Sequence, residues 1–252
     1  MRFEERRTLI VVLVAGVAAA VLFMPAVYFL GLWLAPPRPV PAAAHAPALL
    51  GDALWARAEG GRAGELQPIN PISFVRMRVC RTLAARTDDP ALRARRRAEC
   101  MKIVPAIQAA DYLSGVHMRA EHVPEGGFRH GISQFATTAW LTRSWTKAEL
   151  LDTLASRGDF GFGWHDAEAA ARGYFGRPAA DLDLAQAAMV AAFIGARPPD
   201  PWCAPDAARD MRRRILERMR DNLAIDDSAF RAADASGLGL APPPADHKRC
   251  SD

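Results

Sequence analysis

From Thr8 to Leu34 the chain carries no charged residue, and the run is built from Val, Leu, Ala, Phe and similar side chains. A helix that crosses a bilayer needs roughly 20 apolar residues, and this run exceeds that even with Pro25 inside it. A cleavable signal peptide has a shorter apolar core, roughly 7–15 residues. Ala42-Ala43-Ala44 imitates a cleavage site but lies behind too long a run. The expectation is therefore an uncleaved single-pass anchor over residues 8–34. Arg2, Arg6 and Arg7 precede it, which places residues 1–7 in the cytoplasm and everything after Leu34 in a periplasmic or otherwise extracytoplasmic space. Tyr28 and Trp33 fall where amphipathic rings favour the membrane interface. Half of the residues are hydrophobic, yet mean hydropathy is only -0.04, so the remainder of the chain is comparatively polar.

That remainder is mildly basic. A formal charge of +4 is too small to argue for nucleic acid. Cys80, Cys100, Cys203 and Cys250 form no CxxC pair, so neither a zinc knuckle nor a thioredoxin-type site is supported. An even number of cysteines in an exported domain suggests disulfides, and four allow three connectivities. Proximity along the chain favours Cys80–Cys100 and Cys203–Cys250.

Residues 35–49 are rich in Pro and Ala and read as a semi-rigid spacer that lifts a domain off the membrane. The domain is expected over residues 50–230, with 231–252 an irregular tail marked by Gly237, Gly239 and three prolines. Helix signals dominate it. Ile72, Val75, Val79 and Leu83 recur at helical spacing between Pro71 and Arg86. Asp89-Pro90 opens a helix containing Arg93, Arg95, Arg96 and Arg97, read mainly as a solvated basic face. Further helices are expected from Pro105 through Leu113, from Ser133 to Trp145, from Asp166 to Tyr174, from Leu184 to Ile194 and from Asp206 to Leu223. Thr146 with Glu149 is a capping box before Leu150, Leu151 and Leu154. No segment alternates as a strand does, so the fold class is mainly α.

Ordered motifs in the C-terminal half then narrow the function. They are Lys147-Ala148-Glu149-Leu150-Leu151, Ala170-Ala171-Arg172-Gly173-Tyr174-Phe175-Gly176-Arg177 and Leu182-Asp183-Leu184-Ala185-Gln186-Ala187-Ala188. Pro198 to Pro201 and Arg213-Arg214-Ile215-Leu216-Glu217-Arg218-Met219 follow. This series resembles glycosyltransferase family 51, the peptidoglycan glycosyltransferase domain of penicillin-binding proteins. The resemblance implies a lysozyme-like helical domain beside the bacterial inner membrane, lipid II or glycan strands as ligand, and membrane and cell-wall synthesis proteins as partners. It also implies a carboxylate acting as general base on the acceptor hydroxyl and cations at the leaving pyrophosphate. Arginine forks suit that anion. No cofactor is required and no ligand cluster demands a metal; a divalent cation beside the pyrophosphate stays open.

The N-terminal half of the resemblance is divergent and shortened. The family's Glu-Asp-x-x-Phe and His-Gly elements are answered by Glu121, Glu125, Phe128, His130 and Gly131, with no Asp after either glutamate. Glu125 and Glu121 are the catalytic candidates. His130, Gln134, Arg143, Lys147 and Arg172 are the substrate-binding candidates. The family's second glutamate motif has no counterpart between Arg143 and Lys147, and Gln186 stands where a carboxylate is expected. Trp164 and His165, after a Gly-rich turn, are candidates for sugar stacking; Trp140, Trp145, Phe175 and Met189 read as core. Three functions remain: a peptidoglycan glycosyltransferase with an incomplete catalytic set, a non-catalytic accessory or scaffold of cell-wall assembly, and a glycan-cleaving lysozyme-like enzyme.

Overall fold

A computed structural model describes residues 23, 25–62, 65–101, 104–195, 198–244, 247 and 250. Residues 25–34 form the described part of a helix, α1. It is followed by α2 (Ala48–Arg57), α3 (Pro71–Ala85), α4 (Pro90–Met101), α5 (Ile107–Ala120) and α6 (Gly127–Ser144). Then come α7 (Lys147–Arg157), α8 (Ala167–Phe175), α9 (Leu184–Phe193), α10 (Pro205–Asp221) and α11 (Asp227–Ala235). No strand occurs among the described residues.

The core is organised around α9, whose residues from Ala185 to Phe193 are all buried. Its alanines at 185, 187, 188, 191 and 192 let α2 and α10 approach closely from two sides. Asp183 caps this helix by accepting from Gln186 N at 2.8 Å, and Gln186 Oε1 accepts from Asp183 N at 3.2 Å. The amide at position 186 therefore completes a capping box as a glutamate would. Tyr174, fully buried, lies among Trp164, Phe193 and Trp202 and donates to Phe160 O at 2.8 Å. A Cβ on Gly173 would lie 2.1 Å from the Trp164 ring, so only glycine admits that ring. Trp164 is thus half-buried and packed against Tyr174; Trp145, Phe175 and Met189 are core as expected. His165 stays exposed.

The predicted helices are present, with three differences. α6 begins at Gly127, well before Ser133, because Gly126 at φ 85 turns the chain directly into it. α2 starts inside the expected spacer. α11 runs from the end of the expected domain into what reads as irregular tail; Asp226 caps it by accepting from Ala229 N at 2.7 Å, a signal hidden by the Gly- and Pro-rich residues that follow. Beyond α11 the chain stays attached, with Ala241 N donating to Tyr174 O at 2.8 Å and Trp202 Nε1 to Ala241 O at 2.9 Å.

Both disulfides pair as proximity predicts: Cys80–Cys100 staples α3 to α4, and Cys203–Cys250 ties the tail to the turn before α10. Closing loops of 20 and 47 residues stabilises by roughly 3 and 4 kcal/mol in the chain-entropy account.

The Pro/Ala-rich segment is not a free spacer. Ala42 N donates to Thr153 Oγ1 at 3.0 Å, Ala46 N to Asp152 Oδ1 at 2.8 Å, and His45 Nδ1 lies 2.7 Å from Asp152 Oδ2. It runs as a strap along α7, because short polar side chains on α7 satisfy its backbone. The expected 8–34 span falls mostly outside the described residues. Among the described residues, no helix is long and apolar enough to cross a membrane. The described end of α1 is seated on α6, where Gly31 lies so close that a Cβ would meet Ala136 Cβ at 2.6 Å. Its Phe29 and Trp33 face outward, 66% and 79% exposed.

The C-terminal helix carries a pH dependence. The Ser228 hydroxyl, then the Ala229 amide, hold Asp226 below the usual carboxylate range, and Arg213 does the same for Asp234. A depressed folded-state pKa adds stability above the unfolded value of about 3.8, lost as pH falls through the lower folded value. The urea midpoint is therefore expected to hold steady from neutral pH down to about 4 and to drop below it. Asp226→Asn should flatten part of that fall; an unchanged acid limb in the variant would remove Asp226 from the account.

Candidate functional site

A cleft of about 1170 Å3 opens between the end of α2, one face of α5 and one face of α6. Polar groups in its wall include Arg57, Glu59, Asp111, Tyr112, Arg119, Gln134 and Thr138. α5 places Asp111, Tyr112, Gly115 and Arg119 along one side at helical spacing. α6 faces it with Gln134 and Thr138, one turn apart. The two helices are joined across the cleft by polar contacts. Gln134 Nε2 donates to Asp111 Oδ1 at 3.3 Å, and Thr138 Oγ1 lies 3.4 Å from the same oxygen.

The other end of the cleft is electrostatically tuned. Burial, and then the neighbouring Arg218 charge, lower the Arg57 pKa. Arg218 is itself paired with Glu59 at 2.9 Å. Burial raises the Tyr112 pKa; its phenolic oxygen accepts from Asp159 N at 2.7 Å. The Tyr112 ring crosses Gly195, where a Cβ would sit 2.6 Å away and the backbone has φ +62. Carboxylates, guanidiniums and a phenol around a trough of this size suit a polyhydroxylated ligand bearing anionic groups.

A smaller cavity of about 420 Å3 lies under the strap, walled by Pro37 to Val40 and by Leu113, His117, Glu121, Trp145 and Arg157. His117 Nε2 lies 2.7 Å from Pro37 O, and the Arg38 guanidinium sits 5.5 Å from the Trp140 ring centre.

The residues singled out from sequence are dispersed over these features. Gln134 lines the large cleft. Glu121, exposed at the C-terminal end of α5, lines the smaller cavity; Glu125 is exposed in the loop before α6 and lines neither. His130 is half-buried on the first turn of α6, its Nδ1 enclosed without a partner among the described residues. Arg143 donates to Ile69 O at 2.5 Å and covers the Tyr28 ring. Lys147 sits 4.6 Å from the Trp55 ring centre, and Arg172 pairs with Glu168 at 2.7 Å on the outside of α8. Sequence reading missed Asp111, Arg57, Glu59, Tyr112 and Arg119, which lie in stretches without a motif; only the helical spacing from Asp111 to Arg119 hinted at a shared face.

Potential metal ligands converge once among the described residues, at Asp200, Cys203 and His247. Cys203 is bonded to Cys250 and His247 lies 2.7 Å from Asp200, so the cluster acts as a clamp on the tail.

A family model described as Transglycosylase matches residues 118–220. The match covers about two fifths of the chain and shows what that segment is similar to. Penicillin-binding protein 1A of Pseudomonas aeruginosa is 33% identical over 110 residues, covering 43% of this chain and 13% of that protein. A biosynthetic peptidoglycan transglycosylase of Rhodospirillum centenum is 34% identical over 101 residues, 36% of this chain and 42% of the relative. One from Aeromonas hydrophila is 41% identical over 68 residues, 25% and 27% of the two chains. The chain thus spans less than half the length of these relatives. The transglycosylase segment starts within α5 and ends in α10, so it contains all seven sequence-predicted site residues. It leaves out Arg57, Glu59, Asp111 and Tyr112, and with them much of the large cleft's wall.

Proposed function

We propose that this protein is a membrane-anchored, extracytoplasmic relative of the peptidoglycan transglycosylases of the bacterial inner membrane. It takes lipid II or glycan strands in the cleft between α5 and α6, with catalysis weak or absent. The transglycosylase segment supports the ligand class. The uncharged run from Thr8 to Leu34 and the outward Phe29 and Trp33 support the anchor. One observation carries the doubtful catalysis: neither Glu121 nor Glu125 lines the large cleft, where the carboxylates are Asp111 and Glu59. A general base must come within hydrogen-bond reach of the hydroxyl it deprotonates. Glu59 is already committed to Arg218. A pocket that keeps polar contacts for a sugar while its family glutamates lie elsewhere fits a binding or scaffolding role in cell-wall assembly.

The second reading is an active polymerase working through Glu121, favoured by its place in the smaller cavity with His117 and Arg157. The full chain in detergent, given lipid II, separates the two. Saturable binding with polymer formation at least about 100-fold below an active transglycosylase is expected, the size of a missing general base. Robust polymer that disappears in Glu121→Gln or Glu125→Gln would overturn the binding reading.

A further inference from the structure

The net charge of +4 is concentrated in one place. Residues 71–101, the α3–α4 hairpin, hold eight arginines and three acidic residues, more than the positive excess of the whole chain. The hairpin also exposes aliphatic side chains: Val79, Leu83 and Leu92 are 52%, 56% and 39% exposed. Positions 76, 79, 83 and 86 share one face of α3, so Val79 and Leu83 are flanked by the exposed Arg76 and Arg86. On α4, Leu92 has the exposed Arg95 and Arg96 three and four residues on. Arg93 donates to the carbonyls of Thr87 and Asp88 at 2.8 and 3.1 Å, and Arg96 to the Thr87 hydroxyl at 3.0 Å. These acceptors are neutral and leave the guanidinium charges in place.

The hairpin packs mainly on itself, and Cys80–Cys100 holds its two helices together. Its position is defined by a small second core, in which Met77 of α3 joins Ile69, Val104, Ile107 and Ala139, with Tyr28 of α1 packed against them. The basic, aliphatic surface is thereby connected to the helix that presents Phe29 and Trp33.

We infer that the α3–α4 hairpin is a second membrane-contact surface, seated on anionic phospholipid headgroups. Val79, Leu83 and Leu92 dip into the interface while the arginines reach phosphate oxygens. Scattered aliphatics among arginines suit a lipid interface, where a protein partner would favour a contiguous apolar patch with aromatic anchors. The hairpin lies outside the transglycosylase segment, so its role is additional to that of the cleft; the inference rests in part on the anchor reading for α1. Two contacts would fix the tilt of the domain as well as its height, which a single helix cannot do.

The test reconstitutes the full chain in nanodiscs containing photoactivatable phosphatidylglycerol and maps labelled peptides by mass spectrometry. Labels are expected on residues 23–34 and on 71–101. Arg76→Glu, Arg86→Glu, Arg95→Glu and Arg96→Glu together should cut hairpin labelling by at least about five-fold and leave the α1 labels unchanged. Val79→Ser with Leu83→Ser, both on exposed positions, should reduce it in the same place without charge reversal. Hairpin labelling at background while α1 is labelled would overturn the inference, as would hairpin labelling indifferent to the charge reversal. Labels on the hairpin but none on α1 would support it and overturn the anchor reading instead.

Discussion

Replacing Arg212 by methionine is expected to lower stability by about 3–5 kcal/mol, the loss of three hydrogen bonds from one charged donor. Arg212 is only 1% exposed. Its guanidinium donates to Gly237 O and Asp234 O at 3.0 Å and to Ser236 O at 2.9 Å. Those carbonyls are at and just past the end of α11, where backbone oxygens lack intrahelical partners and a cation is favoured. Burial lowers the Arg212 pKa, a desolvation cost that the three carbonyls offset. Methionine fills similar volume but takes the donors away from those three oxygens. Arg212→Lys should recover little, because one ammonium cannot span three carbonyls as a planar fork does. Chemical denaturation of both variants checks this; a loss below about 1 kcal/mol for Arg212→Met would mean that α11 and the tail are held by other contacts.

Tyr174→Ala is expected to cost a similar amount, about 3–5 kcal/mol. The ring is fully enclosed, with centroids of Trp164, Phe193 and Trp202 at 4.4, 5.3 and 5.9 Å. Truncation leaves a cavity at the meeting point of α8, α9 and the tail, and the rigid neighbours cannot collapse into it. Tyr174→Phe isolates the hydroxyl. It should cost about 1 kcal/mol, the net worth of one hydrogen bond, here the one to Phe160 O. Calorimetry on the pair separates packing from polarity. Equal losses for Phe and Ala would show that the hydroxyl, rather than the ring, holds this region.

The motif-bearing segments were legible for local reasons. Thr146 with Glu149 is a cap whose chemistry lies within four residues, so spacing alone reveals it. Disulfide pairing was legible because the short loops dominate the closure statistics. The strap was not: a Pro/Ala-rich stretch carries no pattern that says whether its backbone will find Thr153 and Asp152, more than 100 residues away. The α11 helix was obscured by its flanks. Among the site residues, the motifs drew attention to Glu121, Glu125, Arg143, Lys147 and Arg172, while the cleft is lined by Asp111, Arg57 and Tyr112, which carry no motif.

By itself, then, the sequence determined a helical class, the disulfide pairs, the resemblance of one segment to transglycosylases and an apolar run of bilayer length, because each is written in neighbouring residues or in regular spacing. Only the tertiary structure decided which of three consecutive arginines is structural: Arg212 is buried on carbonyls, Arg213 pairs with Asp234, and Arg214 is exposed. It likewise decided which carboxylates face the cleft. Both depend on how one helix is rotated against another, and that rotation is set by the packing of distant elements rather than by any local run of residues.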